Sequence, residues 1–147
     1  MYDTLLQLPL FQGLSTSDFN ALLMKLKLNF QKFSEDDKII KSGDNVTDFV
    51  FLISGTIISS RESDASDFLF KEVIEAPYLV EPYSMFGVSA TYLRDYYAQT
   101  DVSLLLIDKQ YVYSELNKYN ICRMNLLNML SGRVQAVDRY IWSRREQ

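Results

Sequence analysis

The segment Lys41–Ser60, KSGDNVTDFVFLISGTIISS, decides the fold. Its apolar run Phe49–Ile53 is too short for an ordinary helix and is rich in β-branched and aromatic residues, as in a buried strand. Ser54-Gly55 interrupts the run, and Thr56–Ser60 begins a second strand of the same character. Because this break is so short, we expect the two strands to pair as a hairpin, with glycine supplying the turn conformation.

Further strand patterns lie on both sides of this pair. From Leu26 to Phe30 apolar and polar residues alternate, which predicts a half-buried strand. The other predicted features are strands at 38–40, 67–74, 78–81, 96–100 and 102–107, a polar turn at 62–66, and a small helical segment at 84–91. Such a series of short strands predicts one small antiparallel barrel, with the helical segment crossing its mouth.

Helix signals lie at the two ends of the chain. Ser15, followed three residues later by Asp18, predicts the cap of a helix over 16–25. Towards the C-terminus the pattern predicts a short helix at 109–116 and a long one from 121 or 122 to 144. We therefore expect a barrel with its N-terminal helix over residues 1–120 and a long helix over 121–147.

The long helix carries a regular apolar series. Its members follow one another at intervals of four, four, three and four, which is close to a coiled-coil seam: Leu126, Leu130, Val134, Val137 and Ile141. The series fits a terminal helix packed on its own barrel or a seam between two copies of the chain. Periodicity alone does not separate these interpretations.

Composition excludes several chemistries. The chain has 147 residues and a net charge of −4, which argues against a nucleic-acid-binding surface. It has no histidine and one cysteine, Cys122, so histidine-based acid–base catalysis, Ser-His-Asp triads and His/Cys zinc sites cannot be built. Cys122 near a helix start fits a slightly activated thiol or, as we favour, a structural one. We expect no enzymatic activity.

Location is also suggested by composition. No apolar run reaches the ~18 residues that a membrane span needs. A lone cysteine cannot form an internal disulfide, which is typical of a reducing compartment. We therefore expect a soluble, cytoplasmic protein without membrane contact.

The opening segment also carries a family resemblance. Its G-D turn at Gly43, the buried strand that ends in I-S-G at Gly55, and the β-branched strand that follows resemble the cyclic-nucleotide-binding domain of Crp/Fnr-type transcription regulators. In element order the resemblance extends from about Leu8 to the C-terminus. It implies a mainly β fold with flanking helices: a jelly-roll (double-stranded β-helix) antiparallel barrel followed by a long dimerisation helix. It thereby favours a homodimer through the apolar series.

The resemblance also bears on cofactors and on the ligand. Fnr-like iron–sulfur sensors need several cysteines and CooA-like haem sensors a histidine, so neither cofactor is expected here. In the family a cassette that opens F-G-E, and later supplies an arginine, holds the cyclic nucleotide. Met85-Phe86-Gly87 matches the opening, but Val88 stands in place of the glutamate. Counting back from Ala98, Tyr92 stands in place of the arginine, and we expect Arg94 to point to the opposite face of the strand.

Six residues of this region are candidate ligand contacts for an unknown small-molecule effector: Phe86, Gly87, Ser89, Thr91, Arg94 and Tyr97. Polar members would hold an anion, and the aromatic rings would form the wall of a cavity. The alternative is that the rings merely fill the mouth of the barrel.

The resemblance implies the effector-sensing and dimerisation domain of a Crp/Fnr-like transcription regulator that does not respond to cAMP. The alternative is a true cyclic-nucleotide-binding regulatory domain, in a transcription regulator, a kinase or a channel. A cupin-like enzyme is disfavoured, because cupins usually hold a metal with histidines. The chain stops at Gln147, where such regulators begin their helix-turn-helix domain, so we expect DNA contact only through a downstream domain absent from this chain.

Overall fold

The computed structural model describes residues 2–62 and 69–145. The strands in this part are β1 (Asn29–Phe33), β2 (Lys38–Ile40), β3 (Asp48–Ser54), β4 (Thr56–Glu62), β5 (Leu69–Glu75), β6 (Tyr78–Leu79), β7 (Asp95–Ala98) and β8 (Val102–Asp108). The α-helices are α1 (Tyr2–Leu6), α2 (Thr16–Lys25), α3 (Lys109–Leu116) and α4 (Asn120–Arg145), and 3₁₀ turns lie at Pro9–Phe11 and Pro82–Ser84.

The described strands form two antiparallel sheets of four, in the orders β1-β8-β3-β6 and β2-β7-β4-β5. Strand β3 is buried throughout Phe49–Leu52. Successive side chains of a strand point to opposite faces, so both faces of β3 must be covered by other parts of the protein. Phe11 stacks on Phe51 at 5.9 Å and meets the edge of Phe19 at 5.3 Å, so aromatic packing joins the N-terminal helices to this sheet. The predicted antiparallel barrel with flanking helices and a long terminal helix is confirmed.

The predicted hairpin is wrong. Strands β3 and β4 follow each other through Gly55, yet β3 pairs with β8 and β6, whereas β4 pairs with β5 and β7. Gly55 therefore carries the chain from one sheet to the other. Its φ is +93°, and a Cβ atom there would meet the carbonyl oxygen of Asp101 and lie 2.7 Å from Cγ1 of Val102. A glycine break fixes the turn, but it does not determine which strands become neighbours.

Most other elements lie where the sequence predicts them. The hydroxyl of Ser15 accepts the Asp18 N–H at 3.1 Å and begins α2 at Thr16, as expected. Strand β1 begins at Asn29 rather than at Leu26, because Leu26 closes α2 by donating its N–H to the carbonyl of Leu23. Strand β1 is also mostly exposed, not half-buried. The predicted strand at 67–74 is found as β5, while the turn at 62–66 falls almost wholly outside the described residues.

Helix α4 has two parts. Its first part packs on the barrel through the fully buried Cys122, and from Ser131 to Arg144 every side chain is exposed. Leu126 is 8% exposed and belongs to the protein's own core, so its assignment to a dimer seam needs correction. Leu130 is half-buried, and the other members of the apolar series remain exposed: Val134, Val137 and Ile141. No helix in the described ranges is both long and apolar enough to span a membrane.

Replacement of Gly55 by alanine tests the sheet-to-sheet turn. Gly43 provides a matched control, because its φ is also +93° but no atom lies within 4 Å of an added Cβ. We expect Gly43→Ala to lower the free energy of unfolding by about 1–2 kcal/mol through backbone strain alone. Gly55→Ala should lower it by at least about 1 kcal/mol more because of the added collision. Urea unfolding measures both; equal losses would contradict this account of Gly55.

Candidate ligand site at the mouth of the barrel

The segment between the second 3₁₀ turn and β7 does not form the predicted helix at 84–91. Beyond Ser84 the chain bends without helical structure, with Gly87 at a φ of +102°. Residues 90–92 instead bond to residues 43–46: the N–H of Gly43 donates to the Tyr92 carbonyl, and the N–H of Val46 donates to the Ala90 carbonyl. These bonds satisfy the backbone groups that a helix would have used.

The structure does not bring the six candidate residues together. Phe86 packs against Phe49 and Tyr113, at ring separations of 6.4 and 5.9 Å, so it joins the loop to the helical side of the sheet. Gly87 and Ser89 are exposed on the loop. These three residues therefore do not enter the barrel.

Thr91 and Tyr97 also lie outside the barrel interior. Thr91 forms an isolated bridge with Asn45. Tyr97 pairs across the sheet with Ile58 on the outer face and lies under the Lys38 ammonium, 5.5 Å from the ring centre. Of the six candidates, only Arg94 contacts buried groups of the barrel interior.

The expected orientation of Arg94 is wrong. Its guanidinium bonds to the hydroxyl of Ser59 at 3.2 Å and to the carboxylate of Glu72 at 2.8 Å, and Ser59 is only 1% exposed. Ser59 pairs with Tyr96 across the sheet, so the Arg94 side chain reaches the inner face that Tyr96 occupies. The side chains of Arg94 and Glu72 are 27% and 61% exposed, which places their ion pair at the mouth.

Glu81 is the residue that sequence reasoning missed. It is fully buried and adopts a φ of +41°, in the left-handed region. One carboxylate oxygen accepts the Ser84 hydroxyl at 2.7 Å and the Leu93 N–H at 2.8 Å. The other accepts the Arg94 N–H at 3.3 Å and the Tyr96 hydroxyl at 2.7 Å. These hydrogen bonds hold a buried charge that an apolar interior alone would strongly disfavour.

Two tyrosines beside this carboxylate stay protonated. Burial, and then the hydrogen bond to Glu81, raises the pKa of Tyr96, so its hydroxyl remains a donor at neutral pH. Burial and the charge of Glu81 also raise the pKa of Tyr92. Tyr92, which the resemblance places where Crp/Fnr-type domains have an arginine, is a neutral buried side chain.

A separate cavity of about 510 Å³ lies where the barrel meets α4. The first 3₁₀ turn, β6, the second 3₁₀ turn and α4 supply its walls: Leu8, Pro9, Leu10, Pro77, Tyr78, Leu79, Pro82, Tyr83, Met129 and Arg133. The guanidinium of Arg133 lies over the ring of Tyr83, 4.7 Å from its centre. The volume falls within the roughly 300–1,000 Å³ range of small-molecule sites.

Cys122 is a structural thiol. It is fully buried, and burial, together with the charge of Asp18, raises its pKa to about 11. A thiol with that pKa carries almost no thiolate at neutral pH, so the slight activation considered from its helix position does not occur.

Replacement of Glu81 by glutamine tests the role of its carboxylate. The amide keeps one acceptor oxygen but turns a donor group towards two of the donors that the carboxylate now satisfies. We expect a loss of about 2–4 kcal/mol in the free energy of unfolding, measured with urea. Glu72→Gln is the matched control: it removes an exposed charge and should cost less than about 1 kcal/mol. Equal effects of the two substitutions would contradict the role assigned to Glu81.

No protein-family model matches the chain, and no curated protein matches it. Solved structures do. The catabolite activator protein of Thermus thermophilus matches with a TM-score of 0.78 and 17% identity, covering 91% of this chain and 62% of that one. The chain therefore spans less than two thirds of that regulator.

Two further solved structures also match the chain. The sensor domain of the transcriptional regulator DNR from Pseudomonas aeruginosa matches with a TM-score of 0.75 and 21% identity, covering 92% of this chain and 90% of that one. The regulatory domain of Toxoplasma gondii PKA, crystallised with cAMP, matches with a TM-score of 0.64 and 15% identity, covering 77% and 42%. The chain has the cyclic-nucleotide-binding-like fold of the sensor domains of Crp/Fnr-type transcription regulators.

Proposed function

We propose that this chain is the effector-sensing and dimerisation domain of a Crp/Fnr-like transcription regulator, with an effector that is not a standard cyclic nucleotide. The observation that carries the proposal is the double role of α4. One part of this helix lines a cavity at the barrel through Met129 and Arg133, and the next part leaves the barrel with its apolar residues exposed.

The exposed part of α4 fits a second copy of the chain. Val134, Val137 and Ile141 are 69%, 43% and 47% exposed. At 100° per residue they share one stripe with the half-buried Leu130. Large apolar side chains repeated along a projecting helix commonly mark an interface, and a symmetric pair of such helices would bury the stripe against itself.

The barrel mouth disfavours a cyclic phosphate. The N–H groups of Leu93 and Arg94 are already taken by the carboxylate of Glu81, and the Arg94 guanidinium is taken by Glu72 and Ser59. A phosphate placed there would add a negative charge beside a buried carboxylate. The family's glutamate position is filled by the exposed Val88, which offers no acceptor for a ribose hydroxyl.

The competing proposal is a true cyclic-nucleotide-binding regulatory domain, and the likeness to the cAMP-bound PKA domain supports it at the level of fold. We favour the first proposal because of Glu81. Further parts of the proposal remain predictions from sequence: a cytoplasmic location, no catalytic activity, no haem or iron–sulfur cofactor, and DNA contact only through a separate domain.

Substitution of the apolar stripe tests the dimer. We expect Val134→Glu/Val137→Glu to give a folded monomer, because four glutamates would face one another across the helix pair, whereas the unmutated chain should be a dimer by light scattering. Gln135→Glu/Ser143→Glu adds the same charge away from the stripe and should stay dimeric. An unmutated chain that is monomeric at high micromolar concentration would refute this part of the proposal.

Titration calorimetry with cAMP and cGMP tests the ligand. We expect both nucleotides to bind more weakly than the low micromolar range or not at all, because the loss of a bidentate arginine contact alone costs a few kcal/mol, or about two decades of affinity. Low micromolar or tighter binding of either nucleotide would favour the competing proposal. If such binding also disappeared in Arg94→Ala, Arg94 would have left Glu72 to hold the phosphate.

A further inference from the structure

The cavity beside α4 has mostly apolar walls and three polar side chains. Aliphatic side chains and prolines cover most of its surface: Leu8, Pro9, Leu10, Pro77, Leu79, Pro82 and Met129. The polar groups come from Tyr78, Tyr83 and Arg133. A mostly apolar wall with a few convergent polar groups is typical of a small-molecule site.

Arg133 brings a positive charge that the protein does not neutralise by a direct ion pair. Within residues 2–62 and 69–145 its guanidinium forms no salt bridge, and its contact is with the face of the Tyr83 ring. Among the described residues no N–H group of Arg133 donates a hydrogen bond, so these donors stay available to a ligand. An anion entering the cavity would therefore meet an unpaired cation.

The two phenols add neutral hydrogen-bond donors. Burial is the largest cause that raises the pKa of both Tyr78 and Tyr83, so both hydroxyls keep their protons at neutral pH. Neither hydroxyl forms a hydrogen bond with another part of the described chain. Both tyrosines line the same cavity as Arg133, whose guanidinium lies 4.7 Å from the centre of the Tyr83 ring.

We propose that this cavity binds a small monocarboxylic acid with an apolar body. The carboxylate pairs with the edge of the Arg133 guanidinium and accepts hydrogen bonds from the phenols, and the apolar part fills the wall of leucine, proline and methionine side chains. A single cation suits one negative charge, and Glu81, which directly precedes the lining residues Pro82 and Tyr83, disfavours a more highly charged ligand.

This inference deepens the proposed function by naming a class of effector, and it rests on that function only for the effect on α4. Met129 and Arg133 lie on the helix that carries the exposed stripe, so a ligand between them and the barrel would bear directly on that helix. Binding itself does not require the chain to be part of a regulator.

Titration calorimetry with three eight-carbon probes tests the site: octanoate, 1-octanol and octylammonium. They share one apolar chain and differ in the charge of the end group. We expect octanoate to bind at least about tenfold more tightly than 1-octanol, since a charge-assisted hydrogen bond contributes more than the ~1.4 kcal/mol that tenfold represents. Octylammonium should bind least tightly, because the positive charge of Arg133 repels its ammonium group.

Variants locate the binding. Arg133→Gln should remove the preference for octanoate over 1-octanol, and Met129→Trp should weaken both probes by filling the cavity. Arg139→Gln is the matched control, an exposed arginine of the same helix that does not line the cavity. Circular dichroism checks that each variant is folded.

Three results would overturn the inference: equal binding of octanoate and 1-octanol, an octanoate preference that survives in Arg133→Gln, or no binding of octanoate at millimolar concentration. The oligomeric state separates this failure from failure of the proposed function. A monomeric chain that binds octanoate through Arg133 would contradict the proposed regulator function and support the ligand site. A dimeric chain that does not bind octanoate would contradict the ligand site and leave the proposed function unaffected.

Discussion

The buried carboxylate of Glu81 is the constraint on which the mouth of the barrel depends. A charge with no exposed surface is tolerated only where hydrogen-bond donors surround it, and here the donors come from Ser84, Leu93, Arg94 and Tyr96. Three parts of the chain must therefore meet at one point: the second 3₁₀ turn, the end of the loop and strand β7. The left-handed conformation at Glu81 is maintained because the same bonds hold the residue in place.

The polar groups of the mouth follow from that arrangement. The backbone N–H of Arg94 donates a hydrogen bond to Glu81, and its side chain extends across the inner face to Ser59 and Glu72. The carboxylate of Glu72 therefore balances the charge of Arg94 within the protein. Because the charge of Arg94 is already balanced, the mouth of the barrel attracts an external anion only weakly. Arg133, which lies on α4 beside the mostly apolar cavity, forms no salt bridge with any residue that the structure describes. The two arginines therefore differ in what they offer a ligand, although both act on the same tyrosines.

Local signals in the sequence were sufficient for much of the fold. The cap at Ser15, the strand at β2 and the helix α3 depend on neighbouring residues, and the structure has them where the pattern predicts. The partners of β3 and β4 depend on contacts with β8, β6, β5 and β7, which the break at Gly55 does not encode. Strand alternation did not settle the orientation of Arg94, because this residue precedes β7 and its side chain is held by Ser59 and Glu72. The role of Glu81 was not predictable in this way: a glutamate at the end of the predicted strand 78–81 gives no sign of burial, and its donors lie up to 15 residues away.

Helix α4 carries both the residues that line the cavity and the exposed apolar stripe, on two neighbouring faces. Cys122, Leu126, Met129 and Arg133 follow one another at intervals of four, three and four and face the barrel, whereas the series from Leu130 to Ile141 runs along the neighbouring stripe. Leu130 is half-buried because it lies at the level of Met129, where the helix still packs on the core, whereas the later members of the series lie beyond the barrel. Since a helix moves largely as one body, a ligand that displaced Met129 from the barrel would move the adjoining stripe as well. The cavity and the stripe therefore share one rigid element, helix α4.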